Sequence, residues 1–139
     1  MSAQQNVELI KKGYAAFGAG NVEELLGLFA EDIKWTTPSI KGAPFGGTVR
    51  GRGEVAKFFE SLAGAEEIQE FTQDDYIAQD DKVVVTGRSK ALVKSTNRGL
   101  NLEYVHIFTV GGGKVQQFVE HFDTAAAAEA YRQTAAAGA

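Results

Sequence analysis

At 139 residues the chain is one domain's worth, long enough to bury about 68% of the surface that its unfolded form exposes. It has no cysteine, which excludes disulfides, thiolate zinc or iron–sulfur ligation and a cysteine nucleophile. Fourteen Lys and Arg against 18 Asp and Glu leave a net charge of −4 with no basic cluster, which argues against nucleic acid and anionic membrane as partners.

The opening Met1-Ser2-Ala3-Gln4-Gln5-Asn6 is polar and lacks the segments of a signal peptide. No run nears the ~18 apolar residues of a membrane span, so a cytoplasmic setting is expected. Val7, Ile10, Tyr14 and Phe17 form the apolar stripe of a first helix, stopped by Gly18 and Gly20. Asn21 caps a second helix with Glu24 three residues on, and Leu25, Leu26 and Phe29 form its buried stripe. Ile33 to Thr37 alternates as a short strand and ends at Pro38. Ser39 to Gly53, with five glycines and Pro44, reads as a loop holding one short strand near Thr48-Val49-Arg50. Glu54 opens a third helix with the stripe Val55, Phe58, Phe59 and Leu62, stopped by Gly64.

From Ile68 the period becomes two. Ile68–Ala78, Lys82–Lys94, Leu100–Val110 and Lys114–Phe122 read as four strands joined by short connections rich in turn formers, hence antiparallel hairpins. Asp123 or Thr124 caps an alanine-rich C-terminal helix that fades into Ala135–Ala139. Helices first and strands afterwards predict an α+β fold, one domain over 1–139 with its core at about 5–133. Strands this long twist and curl, so a strongly curved antiparallel sheet wrapped around the helices is expected, forming a cone with an apolar inside.

The strand alternation says what faces that inside. One face of the third long strand carries Leu100, Leu102, Tyr104, His106, Phe108 and Val110. One face of the fourth carries Gln116, Phe118, Glu120 and Phe122, the other Val115, Gln117, Val119 and His121. A turn of three glycines sets Tyr104 opposite Glu120 and His106 opposite Phe118. His106 and Glu120 are then diagonal neighbours, about 7–8 Å apart at the backbone. A histidine and a carboxylate on an aromatic face are the ingredients of a tuned acid–base pair. They also fit a hydrogen-bonded core pair, and a buried glutamate needs some partner either way. A slip of one residue at the glycine turn would send Glu120 outward and His121 inward. On Lys82–Lys94 the small set Val83, Val85, Gly87, Ser89, Ala91 and Val93 belongs inside, with Gly87 permitting a bend. The glycines at Gly46-Gly47, Gly51 and Gly53 match no phosphate-binding pattern, and two histidines without cysteine argue against a metal site. No cofactor is expected.

Tyr14-Ala15-Ala16-Phe17-Gly18-Ala19-Gly20-Asn21, then Leu28-Phe29-Ala30-Glu31-Asp32 and a strand ending at Pro38, resembles the opening of ketosteroid-isomerase-like proteins. These group with nuclear transport factor 2 and the SnoaL-like polyketide cyclases. Gly51-Arg52-Gly53-Glu54-Val55-Ala56-Lys57-Phe58-Phe59 is similar to that family's third-helix entry, and Gly113 through Ala125 to its last strand and tail. The resemblance implies a curved sheet and three helices around an apolar pocket, and a homodimer through the outer sheet face. It does not imply steroid isomerisation. The isomerases' general-base aspartate falls at Thr37, their oxyanion-hole tyrosine at Gly13, and their protonated aspartate at His106 or Val105. The SnoaL-like cyclases keep an acid–base carboxylate on the last strand and a histidine on the strand before, places that Glu120 and His106 match in type.

The expectation is therefore a pocket for a small apolar or aromatic molecule, neutral and cyclic, with Glu120 as general base or acid. His106 would be its partner or the electrophile that stabilises an enolate. Tyr104 would donate a hydrogen bond, and Tyr14, Phe17, Trp35, Thr37, Phe58, Phe108, Phe118 and Phe122 would shape the wall. The rival expectation is a non-catalytic binding or assembly domain. A cavity of roughly 300–1,000 Å³ would favour the first, and a cone plugged by Phe45 or Trp35 the second. Of nine Phe, four Tyr and one Trp, only Phe71, Tyr76 and Tyr131 are left without a place.

Overall fold

The computed structural model describes residues 2–133. Helix α1 (Ala3–Gly18) starts earlier than its apolar stripe, because Ser2 and Gln5 form a capping box. The Ser2 hydroxyl accepts from the Gln5 amide at 3.1 Å and the Gln5 side chain accepts from the Ser2 amide at 2.8 Å, satisfying two amides that no helical carbonyl can reach. Helix α2 (Val22–Gly27) is capped by Asn21, which accepts from the Glu24 amide at 3.1 Å. It ends sooner than its stripe suggests: Phe29 opens strand β1 (Phe29–Thr37) instead of closing the helix. Strand β2 (Gly47–Arg50) lies within the glycine-rich loop. Helix α3 (Arg52–Ala65) starts two residues before Glu54 and passes Gly64 by one. Its Arg52 guanidinium donates to the Phe29 carbonyl at 2.9 Å and ties the helix start to β1.

Strands β3 (Glu66–Gln79), β4 (Lys82–Val93), β5 (Arg98–Gly111) and β6 (Lys114–Phe122) follow, and helix α4 (Thr124–Tyr131) closes the described chain. Asp123 caps α4, accepting from the Ala126 amide at 3.0 Å. The fading tail Ala135–Ala139 lies outside the described residues.

The sheet runs β2-β1-β6-β5-β4-β3. Four of its pairings are antiparallel, but β1 lies parallel to β6, with Trp35 beside Phe118. An all-antiparallel sheet was the expectation. The exception arises because the chain leaves β1, passes through β2, α3 and the strands β3 to β5, and returns to β1's free edge in the same direction. The six strands make a curved, unclosed sheet, with bulges in β3 on both sides of Glu70–Gln73 and a register shift between β5 and β6 at Thr109/Val110. An extra residue on one strand bends it and raises its twist.

Gly87 marks the tightest point. A Cβ there would overlap the Thr72 carbonyl and the Tyr104 hydroxyl. The Tyr104 ring lies across β4 at this gap, its hydroxyl donating to the Thr72 carbonyl at 2.7 Å and accepting from the Gln73 side-chain Nε2 at 3.1 Å. Three strands are thereby joined by one side chain. The small inward set on β4 is as expected, with Val83, Val85 and Val93 wholly buried.

The apolar interior has two centres. One, around Ile33, Trp35, Phe59, Val85, Phe108 and Phe118, sits between the sheet and the helices α1 to α3; the other gathers Ile40, Val93, Leu100, Ala127 and Tyr131 under α4. Among the described residues no helix is long and apolar enough to cross a membrane.

Candidate functional site

The β5–β6 turn is formed by Gly112 and Gly113 alone, at φ +60° and +75°, the two-residue hairpin geometry that glycine adopts without steric penalty. Gly111 pairs with Lys114 and Val110 with Val115, but Thr109 pairs with Gln117. Gln116 is therefore the extra residue of a bulge, its side chain folded back to donate to the Gly111 carbonyl at 2.8 Å. Val115 and Phe118, three apart, are both buried. This corrects the expected facing of Val115, which points inward. The shorter turn and the bulge each shift the pairing by one residue, two in all: His106 lies directly opposite Glu120 and Tyr104 opposite Phe122. Because the shift is even, Glu120 keeps the inner face and His121 is exposed.

The direct pairing brings His106 Nε2 to 2.9 Å from Glu120 Oε2. On the other side of the ring, Tyr14 from α1 places its hydroxyl 2.6 Å from Nδ1. With Glu120 as the carboxylate, Nε2 carries the proton and donates to Glu120, so bare Nδ1 accepts from the Tyr14 hydroxyl. Both ring nitrogens are thus occupied. His106 holds the middle of a Tyr14–His106–Glu120 chain and cannot itself grip a substrate oxygen, which removes the expected electrophile role in this state. Protonated at both nitrogens, the ring would donate to the Tyr14 oxygen and free the phenolic O–H to turn toward a ligand.

Aromatic rings enclose this chain. Tyr104 stacks on His106 at 4.2 Å between centroids, and Phe118 meets its edge at 4.9 Å. His106 is 4% exposed and the Glu120 side chain 22%. Burial pushes the Tyr14 phenol far above its ordinary range, with Tyr104, Tyr76 and Glu120 adding to it. Burial also pushes Tyr104 up to about 12, partly offset by the bond from Gln73. Both remain phenols and hydrogen-bond as such. The Tyr104 hydroxyl, expected to reach a ligand, is committed to the Thr72 carbonyl instead.

A cavity of about 150 Å³ lies between the sheet and the helices, below the expected range and about the size that accepts one benzene-sized ring. His106, Glu120, Tyr14, Tyr104 and Phe17 line it. So do Trp35, Phe58, Phe108, Phe118 and Phe122, while Thr37 is buried outside it. Trp35 and Phe45 are wall residues and do not plug the space; Trp35 stacks flat on Phe118 at 3.9 Å. Among the described residues no three His, Asp or Glu side chains converge where a metal ion could be held.

Phe71 and Tyr131, without a place in the sequence reading, line the cavity, and Tyr76 packs edge-on against Tyr14. Glu66 lines it too, accepting from the Tyr131 hydroxyl at 2.6 Å. Tyr131 had a signal in the stripe Ala127, Ala130, Tyr131. Glu66 had none, because the bulge between Ile68 and Glu70 breaks the alternation linking it to Phe71.

The fold has known relatives. The family model of the SnoaL-like domain matches residues 10–121. An NTF2-like protein from Burkholderia xenovorans is 36% identical, superposing with a TM-score of 0.87 over 95% of this chain and 99% of its own. The structure of TerC co-crystallised with polyporic acid is 26% identical, with a TM-score of 0.80 over 93% and 99%. An uncharacterised protein of Mycobacterium tuberculosis is 27% identical over 133 residues, 94% of this chain and 98% of its own.

Proposed function

The chain belongs to the SnoaL-like domain family, and we propose that within it the protein binds a neutral cyclic or aromatic molecule and moves a proton on it. The reaction is of the isomerase, cyclase or dehydratase type without a cofactor. One observation carries this: the hydrogen-bonded chain Tyr14–His106–Glu120 ends in a carboxylate at the wall of an otherwise apolar cavity. Oε2 of Glu120 is held by His106, leaving Oε1 to take a proton from carbon. His106 positions the carboxylate, and Tyr14 holds the ring from its other nitrogen. The relative TerC, co-crystallised with polyporic acid, supports a small organic molecule as the kind of ligand this fold accommodates.

The test uses simple ring ketones as probes. In D₂O, the protein is expected to catalyse α-hydrogen exchange on cyclohexanone or 2-cyclohexenone, read by NMR as loss of the α-proton signal. Exchange no faster than in buffer overturns the catalytic reading. It would favour the second reading, a non-catalytic binding domain, which the small cavity volume supports.

A homodimer through the outer sheet face is part of the same proposal. The pairings Ile77–Val84, Val84–Ile107 and Ile107–Val119 draw one apolar row across four strands on the face away from the cavity, and Ile77 is 61% exposed. Such a row is a contact surface when flanked by polar rows. Sedimentation equilibrium is expected to give twice the monomer mass, and Ile107→Lys to give the monomer; a monomeric wild type sinks the dimer.

A further inference from the structure

Glu66 is the first residue of β3 and Tyr131 the last of α4. Tyr131 is 3% exposed, and its hydroxyl fixes Glu66 Oε2 at 2.6 Å, leaving Oε1 free. Both residues line the same cavity as Glu120, and among the described residues no Lys or Arg does. A carboxylate at an apolar wall without a cation is held more readily as the neutral acid. Burial does push the Glu66 carboxyl above its ordinary range; the Tyr131 bond opposes this and the Glu120 charge adds to it. The two carboxyls thus stand in different environments: Glu120 tied to an imidazole N–H, Glu66 to a phenol. Two such groups with separated tendencies to ionise divide acid and base roles between them.

We propose that Glu66 is the proton donor that completes the chemistry of Glu120, with Tyr131 as its positioning residue, and that the substrate is a neutral ring ketone spanning the two. This rests on the acid–base reading above. Glu120 takes a proton from the carbon α to the carbonyl. The C–H electron pair becomes the new C=C bond, the C=O π pair moves onto oxygen, and that oxygen takes the Glu66 proton. The products are the enol, Glu120 as acid and Glu66 as carboxylate, with one negative charge before and after. Reversal from a deuterated Glu120 leaves deuterium on carbon.

Two measurements on the full chain test the proposal. In the cyclohexanone exchange assay, Glu66→Gln is expected to lower the rate at least about 100-fold, as for loss of a general acid. An unchanged rate in Glu66→Gln, with exchange still abolished in Glu120→Gln, overturns the Glu66 role and leaves the base role standing. Independently, carbon-detected NMR of the side-chain carboxyls is expected to show Glu66 titrating above an ordinary glutamate. The titratable groups facing it are Tyr131 from α4 and Glu120 from β6. Tyr131→Phe removes a bond that favours the carboxylate, so the midpoint rises. Glu120→Gln removes a repelling charge, so it falls. A Glu66 midpoint in the ordinary range, indifferent to both variants, overturns the proposal whether or not exchange is observed.

Discussion

Replacing Glu120 by glutamine is expected to lower α-hydrogen exchange on cyclohexanone by about 10²–10⁴-fold, the usual worth of a positioned proton-transfer group. Ligand retention should change little. Glutamine has the length of glutamate, and its carbonyl oxygen can still accept from His106 Nε2, so the 2.9 Å contact and the order of the Tyr14–His106 chain survive. What is lost is basicity alone. Binding can be followed through Trp35, the single tryptophan, whose ring forms part of the cavity wall: quenching by the probe should keep its midpoint within a few-fold. A variant that exchanges as fast as the wild type would remove Glu120 from the chemistry. A variant that loses exchange and binding together would make Glu120 a structural residue.

The second large effect belongs to Val119, which follows the bulge at Gln116. Deleting Val119 leaves β6 one paired residue short. If the bulge persists, Phe118 stays opposite Phe108, but Glu120 falls opposite Ile107 and turns to solvent while His121 turns inward. If the bulge is consumed, Glu120 stays opposite His106, but Phe118 moves opposite Ile107 and turns to solvent. Either way an inward side chain is lost. For the Phe118 ring, stacked on Trp35 at 3.9 Å, that costs about 3–5 kcal/mol, against a total stability of about 5–15 kcal/mol for a domain. Deleting Gln116 is the control: Val115, Gln117 and Phe118 then alternate regularly, every other pairing is kept, and only the 2.8 Å bond to the Gly111 carbonyl is lost, about 1 kcal/mol. Urea unfolding of the two deletions should therefore differ by several kcal/mol. Equal stability would mean that the register with β5 does not set the facing of β6.

The inner face of β5 was legible because period-two alternation survives along its whole length, from Leu100 to Val110. The inward facing of Glu120 and its pairing with His106 are legible, but the residue directly opposite it is not: a bulge is a count of backbone bonds, and Gln116 differs in no visible way from Gln117. Glu66 was invisible for the same reason, since a bulge separates it from Phe71. Phe29 was placed on a helix because its spacing from Leu25 fits one; pairing beside Val115 overrides that local preference. Tyr14 was recognised as an inward aromatic. Its bond to His106, 92 residues away, depends on how α1 docks on the sheet, and no local pattern carries that. The parallel β1–β6 pairing is likewise a property of the whole chain path.

The Tyr104 ring lying across Gly87 has a consequence for how sequences of this shape can diverge. Positions 87 and 104 are not free to vary independently, because any side chain at 87 collides with the ring and with the Thr72 carbonyl. The order of change matters as well. A lineage can lose the ring at 104 first and keep the sheet, at the loss of two hydrogen bonds to β3, but it cannot lose the glycine first. Substitution at 87 then becomes accessible only where the ring has gone and the β3 backbone has moved away, so the pair should be inherited together or replaced together.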